Sequence, residues 1–183
     1  MKKICIIGAG GILGIPMAQA FASEGYEVYG VCKSKFPKLL TNVLTGIYTH
    51  LSILELKDFL VNNGPWEGII DLRAYTVSDI RDLMCNSIEF RRWFHISTIY
   101  VYRRWSRMSS EGFAKEFFGK IDEDSSCYPA GFYGTNKYAC EQYLAEIFRE
   151  SNREITVLRL PFIFGPFDRS GRIEYYTRLI PES

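Results

Sequence analysis

Tyr133 and Lys137 stand four residues apart at the start of a helically patterned stretch, so their side chains share one face. A phenol has an ordinary pKa of about 10, and a neighbouring ammonium favours the phenolate and lowers that value. Such a tyrosine can take the proton from a substrate hydroxyl, or return it, while a hydride moves to or from a nicotinamide. Thr98 follows the apolar run that begins at Trp93 and offers a hydroxyl to hold the same oxygen, and Lys137 can fix a cofactor ribose. Gly8-x-x-Gly11-x-x-Gly14 is the third part, a glycine-rich turn that lets a pyrophosphate approach the backbone at a helix N-terminus.

These parts need elements to hold them. Ile4 to Ile7 is a short apolar run ending in glycines, the pattern of a strand buried on both faces. A helix follows over Ile12 to Glu24, with Leu13, Met17, Ala20 and Phe21 on its apolar face and Gly25 to end it. Tyr26 to Cys32 is the second strand. Its end faces the adenosine ribose in such a unit, where an acid selects NAD and a base pairs with the extra phosphate of NADP. The residues there are Cys32, Lys33, Ser34 and Lys35, with no acid, which favours NADP over NAD.

Further along, a short strand is expected around Thr45 to Thr49 and a helix over Ser52 to Val61. Gly68 to Leu72 reads as a buried strand, and Thr76 with Asp79 as a capping pair before the next helix. The strand from Trp93 is expected to stop near Ser97, with His95 packed and hydrogen-bonded inside it. Residues 103–131 break the pattern and read as a long excursion over the site mouth. Tyr133 to Ser151 is a helix with Cys140, Leu144, Ile147 and Phe148 as its buried stripe, and Glu154 to Leu160 a final strand. Strands and helices in alternation predict an α/β fold, a doubly wound, Rossmann-like parallel sheet.

The totals agree with one such domain. A chain of 183 residues, 47% hydrophobic, buries one good core. Its net charge of +1 recruits neither nucleic acid nor an anionic membrane. Five scattered cysteines with no C-x-x-C pair argue against a disulfide frame and against zinc, and fit a cytoplasmic protein. The N-terminus imitates a secretory signal, but Gly8, Gly10, Gly11, Gly14 and Pro16 interrupt its apolar stretch, and no run is long enough to span a bilayer.

Taken together, the chain resembles an extended short-chain dehydrogenase/reductase of the NAD-dependent epimerase/dehydratase group. Gly8, Gly11 and Gly14 are similar to the family's glycine turn, with Ile7 where many members have threonine. Ile96 to Tyr102 is similar to its serine-rich strand end and places Thr98 on its catalytic Ser/Thr. Tyr133 and Lys137 match its active-site pair, and Leu158-Arg159-Leu160-Pro161 is similar to its last cofactor-domain strand. The resemblance implies catalysis by Thr98, Tyr133 and Lys137. It implies cofactor contacts from Gly8, Gly11, Ile12, Leu13 and Gly14, from Cys32, Lys33 and Lys35, from Leu72, Arg73 and Ala74, and from Tyr133, Lys137 and Pro161. Arg73 stands where the family has a small residue.

The resemblance also implies a nucleotide-sugar substrate, NAD or NADP, and a homodimer. It divides the chain into a cofactor domain over 1–165, with the insertion 103–131, and the start of a substrate-binding lobe over 166–183, cut short. Two other readings stay open. One is a non-catalytic NAD(P)-binding module, or a truncated member that needs a partner. The other, disfavoured by the net charge, is RNA binding through Arg91, Arg92, Trp93, Arg103, Arg104 and Trp105.

Overall fold

Alternation inside the shortest strands builds the core. In β1 (Lys3–Ile7), Cys5 and Ile7 face one side and Ile4 and Ile6 the other, and all four are buried. The computed structural model describes residues 1–33, 37–102, 131–168 and 170–179. Its elements continue as α1 (Gly14–Ser23), β2 (Glu27–Cys32), β3 (Gly46–Thr49), α2 (Ile53–Asn63), β4 (Trp66–Asp71) and α3 (Val77–Leu83). Then come β5 (Phe90–Thr98), α4 (Gly131–Ile147), β6 (Glu154–Leu160) and α5 (Arg172–Arg178). The six strands form one sheet in the order β3-β2-β1-β4-β5-β6, and every neighbouring pair is parallel.

The expected doubly wound sheet is therefore present. From β1 the chain moves outward through β2 to β3, then crosses back to β4 on the other side. The strand order reverses between β1 and β4, and ligands bind such sheets at the carboxyl ends of those strands. One face packs Cys5, Ile7, Leu56, Leu60, Trp66, Ile69, Ile80, Trp93, Cys140 and Leu144, side chains drawn from the sheet and from α2, α3 and α4. The other packs Ile4, Ile6, Val28 and Ile70 with Ile15 and Ala18 of α1.

Caps agree with the sequence where their chemistry is local. Ser52 and Thr76 each form a capping box, with Glu55 and Asp79. Gly25, at φ 81°, closes α1.

Three expectations shift. Helix α1 begins at Gly14 rather than Ile12, because Gly11 N first bonds back to Gly8 O at 3.1 Å and the first helical bond is Ile15 N to Gly11 O. Its buried face turns accordingly to Ile15 and Ala18, leaving Ala20 exposed. Strand β5 starts at Phe90 and runs through Thr98, since β4 pairs with it from Trp66↔Phe90 and β6 as far as Thr98↔Leu160. In α4 the buried stripe is Gly134, Lys137, Cys140, Glu141 and Leu144, while Ile147 is exposed. Lys35, Arg103, Arg104, Trp105 and the excursion over 103–130 lie outside the described residues.

Candidate functional site

Because all strands are parallel, their carboxyl ends share one edge, and the candidate residues fall along it in sheet order. Cys32 ends β2 and Lys33 follows it, the glycine turn follows β1, Leu72 to Ala74 follow β4, Thr98 ends β5 and Pro161 follows β6.

At the glycine turn, Gly8 has φ 95°, which side chains disfavour, and a Cβ there would lie 3.1 Å from Leu72 Cβ. Gly8 N donates to Val31 O at 2.7 Å and Leu72 N to Ile7 O at 3.0 Å, so the turn is tied to both flanking strands. A Cβ on Gly14 would meet the backbone of Gly8 and Ala9, so only glycine lets α1 start this close to β1. Gly11 differs. A Cβ there would meet only Gly8 O at 3.4 Å, an ordinary contact, so its open face is not filled by protein. No side chain caps α1, and among the described residues the amides of Ile12 and Leu13 have no hydrogen-bond acceptor. An open glycine and unused amides at a helix N-terminus fit a pyrophosphate. Next to them, Cys32 lies against Gly10 and Lys33 is exposed.

At the other end of the site, Thr98 is buried and its Oγ1 accepts from Tyr100 N at 3.3 Å, capping the 3-10 turn Ile99–Val101. Helix α4 docks on that turn through Gly134, where a Cβ would strike the Tyr100 carbonyl. Gly134→Ala is therefore expected to destabilise the protein by about 1–3 kcal/mol, although alanine favours helix by about 1 kcal/mol. Thermal unfolding followed by circular dichroism checks this against Thr135→Ala at the exposed neighbouring position, expected within about 0.5 kcal/mol of wild type.

The docking brings Tyr133 beside Tyr100, at 6.2 Å between ring centroids and 76° between planes, and beside Tyr75 at 6.0 Å. The two candidate side chains differ in burial. Lys137 is 3% exposed and Tyr133 is 45% exposed. The ammonium donates to Ala74 O and, at 2.7 Å, to Ile96 O, and sits 5.0 Å from the Tyr75 ring centroid. Burial holds the Lys137 pKa below its ordinary value against the pull of Asp71. The Tyr133 phenol lies above its ordinary value, first through burial and then through Tyr75 and Tyr100. This corrects the expectation of a lowered phenol, because the ammonium is drawn to two backbone carbonyls instead.

Three polar groups escape a reading of the sequence. Glu141 is 7% exposed, accepts from Ser97 Oγ, and pairs with Arg159, whose Nη2 lies 2.6 Å from Oε2. Arg159 Nη1 also donates to Tyr102 Oη at 2.7 Å, which ties α4 and β6 to the chain beyond the Thr98 turn. The available signal was a charge inside each apolar pattern, Glu141 next to Cys140 and Arg159 between Leu158 and Leu160. Asp71, closing β4, is the third.

His95 is fully buried and lacks the hydrogen bond expected of it among the described residues. Burial, with a smaller push from Lys137, lowers its pKa to about 3, so it is neutral. The RNA reading loses one of its two stacking rings, since Trp93 is fully buried; the other, Trp105, lies outside the described residues. Arg91 and Arg92 are engaged with Glu67 and Glu154 at the opposite edge of the sheet. Among the described residues no helix is long and apolar enough to cross a membrane.

Known proteins share this fold. The chain is 23% identical over 174 residues to the spore coat polysaccharide biosynthesis protein SpsK of Bacillus subtilis, covering 90% of this chain and 54% of SpsK. Its fold is similar to UDP-glucuronic acid 4-epimerase from Bacillus cereus, solved with NAD, with a TM-score of 0.64, 21% identity, and 91% of this chain and 58% of that one covered. It is also similar to dTDP-glucose 4,6-dehydratase from Bacillus anthracis, solved with NAD, with a TM-score of 0.70, 13% identity, and 91% and 57% covered. The chain thus spans a little over half the length of these relatives. The model of the NAD dependent epimerase/dehydratase family matches residues 4–182, nearly the whole sequence, and the chain belongs to that family.

Proposed function

We propose that the chain is the cofactor-binding and catalytic part of an NAD(P)-dependent oxidoreductase or epimerase that acts on a hydroxyl or keto carbon of a nucleotide sugar. The observation that supports this best is that Thr98 caps the turn whose Tyr100 packs against Tyr133, and that Lys137 bonds the carbonyls of Ala74 and Ile96, at the same sheet edge as the open glycine turn. The amides of Ile12 and Leu13, with Gly8, Gly11 and Gly14, would hold the pyrophosphate. Leu72, Arg73 and Ala74 would flank the cofactor on the β4 side and Pro161 beyond β6. A nicotinamide held there would supply the hydride donor or acceptor. Tyr133 takes or returns the hydroxyl proton, Thr98 Oγ1 holds the same oxygen, and Lys137 fixes the ribose. Nucleotide sugars are named for two solved relatives, UDP-glucuronic acid and UDP-glucose. They are the substrate class to try first.

The direct test is to denature the purified protein and identify any nucleotide released. NAD or NADP is expected, and a protein that neither carries nor binds either would refute the proposal. Lys33 gives the cofactor preference a handle. If it pairs with the extra phosphate of NADPH, Lys33→Glu should weaken NADPH binding at least about tenfold, one charge-assisted hydrogen bond. NADH binding should hardly change. Fluorescence titration measures both, and equal losses for the two cofactors would remove the NADP preference.

A second reading rests on exposure. Tyr133 is 45% exposed, and the Tyr100 ring it packs against also meets the Phe162 ring, 53% exposed, at 6.1 Å. A partner surface would then complete the site, and cofactor binding without hydride transfer by the chain alone is its expected sign.

A further inference from the structure

Asp71 is a carboxylate 3% exposed at the end of β4, and burial raises its pKa. Such a group is costly unless its oxygens are used. Its Oδ1 accepts from Arg73 N at 2.9 Å and Ala74 N at 3.1 Å, folding the backbone that leaves the strand into a turn. Ala74 is itself buried, and its carbonyl is one of the two acceptors of the Lys137 ammonium. The other, Ile96 O, belongs to the neighbouring strand. No ion pair joins Asp71 to Lys137 directly. Besides its electrostatic pull, the carboxylate therefore reaches the ammonium through one residue, Ala74.

We propose that Asp71 is a positioning residue for Lys137, holding the Arg73–Ala74 turn so that the Ala74 carbonyl, with that of Ile96, fixes two of the three ammonium N–H bonds and aims the third at the cofactor ribose. The last clause rests on the function proposed above; the rest concerns this chain alone. An ammonium with three rotatable donors has no preferred direction of its own. Two fixed acceptors, one in the turn after β4 and one in β5, give it one. The same turn carries Arg73 and Ala74, so one carboxylate organises both a stretch expected against the cofactor and the lysine expected at its ribose.

Competitive acetylation of the full chain with acetic anhydride, read by mass spectrometry as the ratio of Lys137 to the exposed Lys38, tests this. Asp71→Ala is expected to raise the ratio about tenfold, the loss of one charge-assisted hydrogen bond. Asp71→Asn keeps the acceptor, though not the charge, and should raise the ratio clearly less than Asp71→Ala does. An unchanged ratio in Asp71→Ala, or an equal rise in Asp71→Asn, would overturn the proposal. Should Asp71→Ala fail to fold, Lys137→Met serves instead. Amide exchange at Arg73 and Ala74 should then quicken about tenfold, and unchanged exchange would be the contrary result. Neither measurement needs a bound cofactor. Titration of the wild type with NADPH and NADH reports on the functional reading separately.

Discussion

Tyr133→Phe is expected to lower turnover by about 10²–10⁴-fold while leaving cofactor affinity within about twofold of wild type. Phenylalanine keeps the ring between Tyr75 and Tyr100 and leaves Gly134 on its turn and Lys137 on its two carbonyls. Only the hydroxyl is lost, so binding survives and proton transfer does not. The pH dependence follows from the direction of the phenol's shift. With its pKa above the ordinary value, Tyr133 is protonated at neutral pH and stands ready as an acid. Reduction of a keto group should run fully at neutral pH and decline as pH rises through the phenol pKa. Oxidation of a hydroxyl, which needs the phenolate, should rise over the same range. Rates in both directions across pH check this, and undiminished turnover by the phenylalanine variant would remove Tyr133 from the chemistry.

The largest stability loss should come from Glu141→Ala. Glu141 accepts from Ser97 and from two N–H groups of Arg159, Nε shared between its oxygens at 3.1 and 3.2 Å and Nη2 at 2.6 Å. Removing one partner of a buried pair costs about 3–5 kcal/mol because the other charge stays buried. The Arg159 side chain is 23% exposed, which places the expected loss near the lower end of that range. At about 2–4 °C per kcal/mol for a chain of this size, the unfolding midpoint should fall by roughly 10 °C. Glu141→Gln, which keeps an acceptor for Ser97, should fall less. The Arg91–Glu67 pair is equally short at 2.6 Å, but Arg91 is 58% exposed, and breaking it should leave the unfolding midpoint nearly unchanged. Calorimetry of the three variants decides whether the buried network, and not ion pairing in general, holds α4 to β5 and β6.

Backbone order was legible because parallel strands buried on both faces leave unbroken apolar runs. Ile4 to Ile7 and the glycines after it could be read as strand and turn without any partner in view. The start of β5 was not legible, since Phe90-Arg91-Arg92 carries no such pattern and is a strand through its pairing with β4 and β6. The spacing of Tyr133 and Lys137 correctly put them on one helix. It said nothing of where the ammonium points, because its acceptors are the carbonyls of Ala74 and Ile96, and every residue has a carbonyl. Asp71 went unnoticed for the same reason, as its partners are backbone amides. Glu141 and Arg159 pair across elements, and an isolated charge in an apolar stripe does not name its counterpart.

Hydride transfer at this site is the central claim, and isotope transfer tests it most directly. The chain loaded with its oxidised cofactor would be incubated with UDP-glucose, UDP-glucuronic acid or dTDP-glucose deuterated at the ring carbons, then denatured and the released nicotinamide examined by mass spectrometry. Deuterium in the nicotinamide with wild type, and none with Tyr133→Phe, is the expected result. A cofactor that stays bound yet gains no deuterium from any of the three sugars would contradict the account.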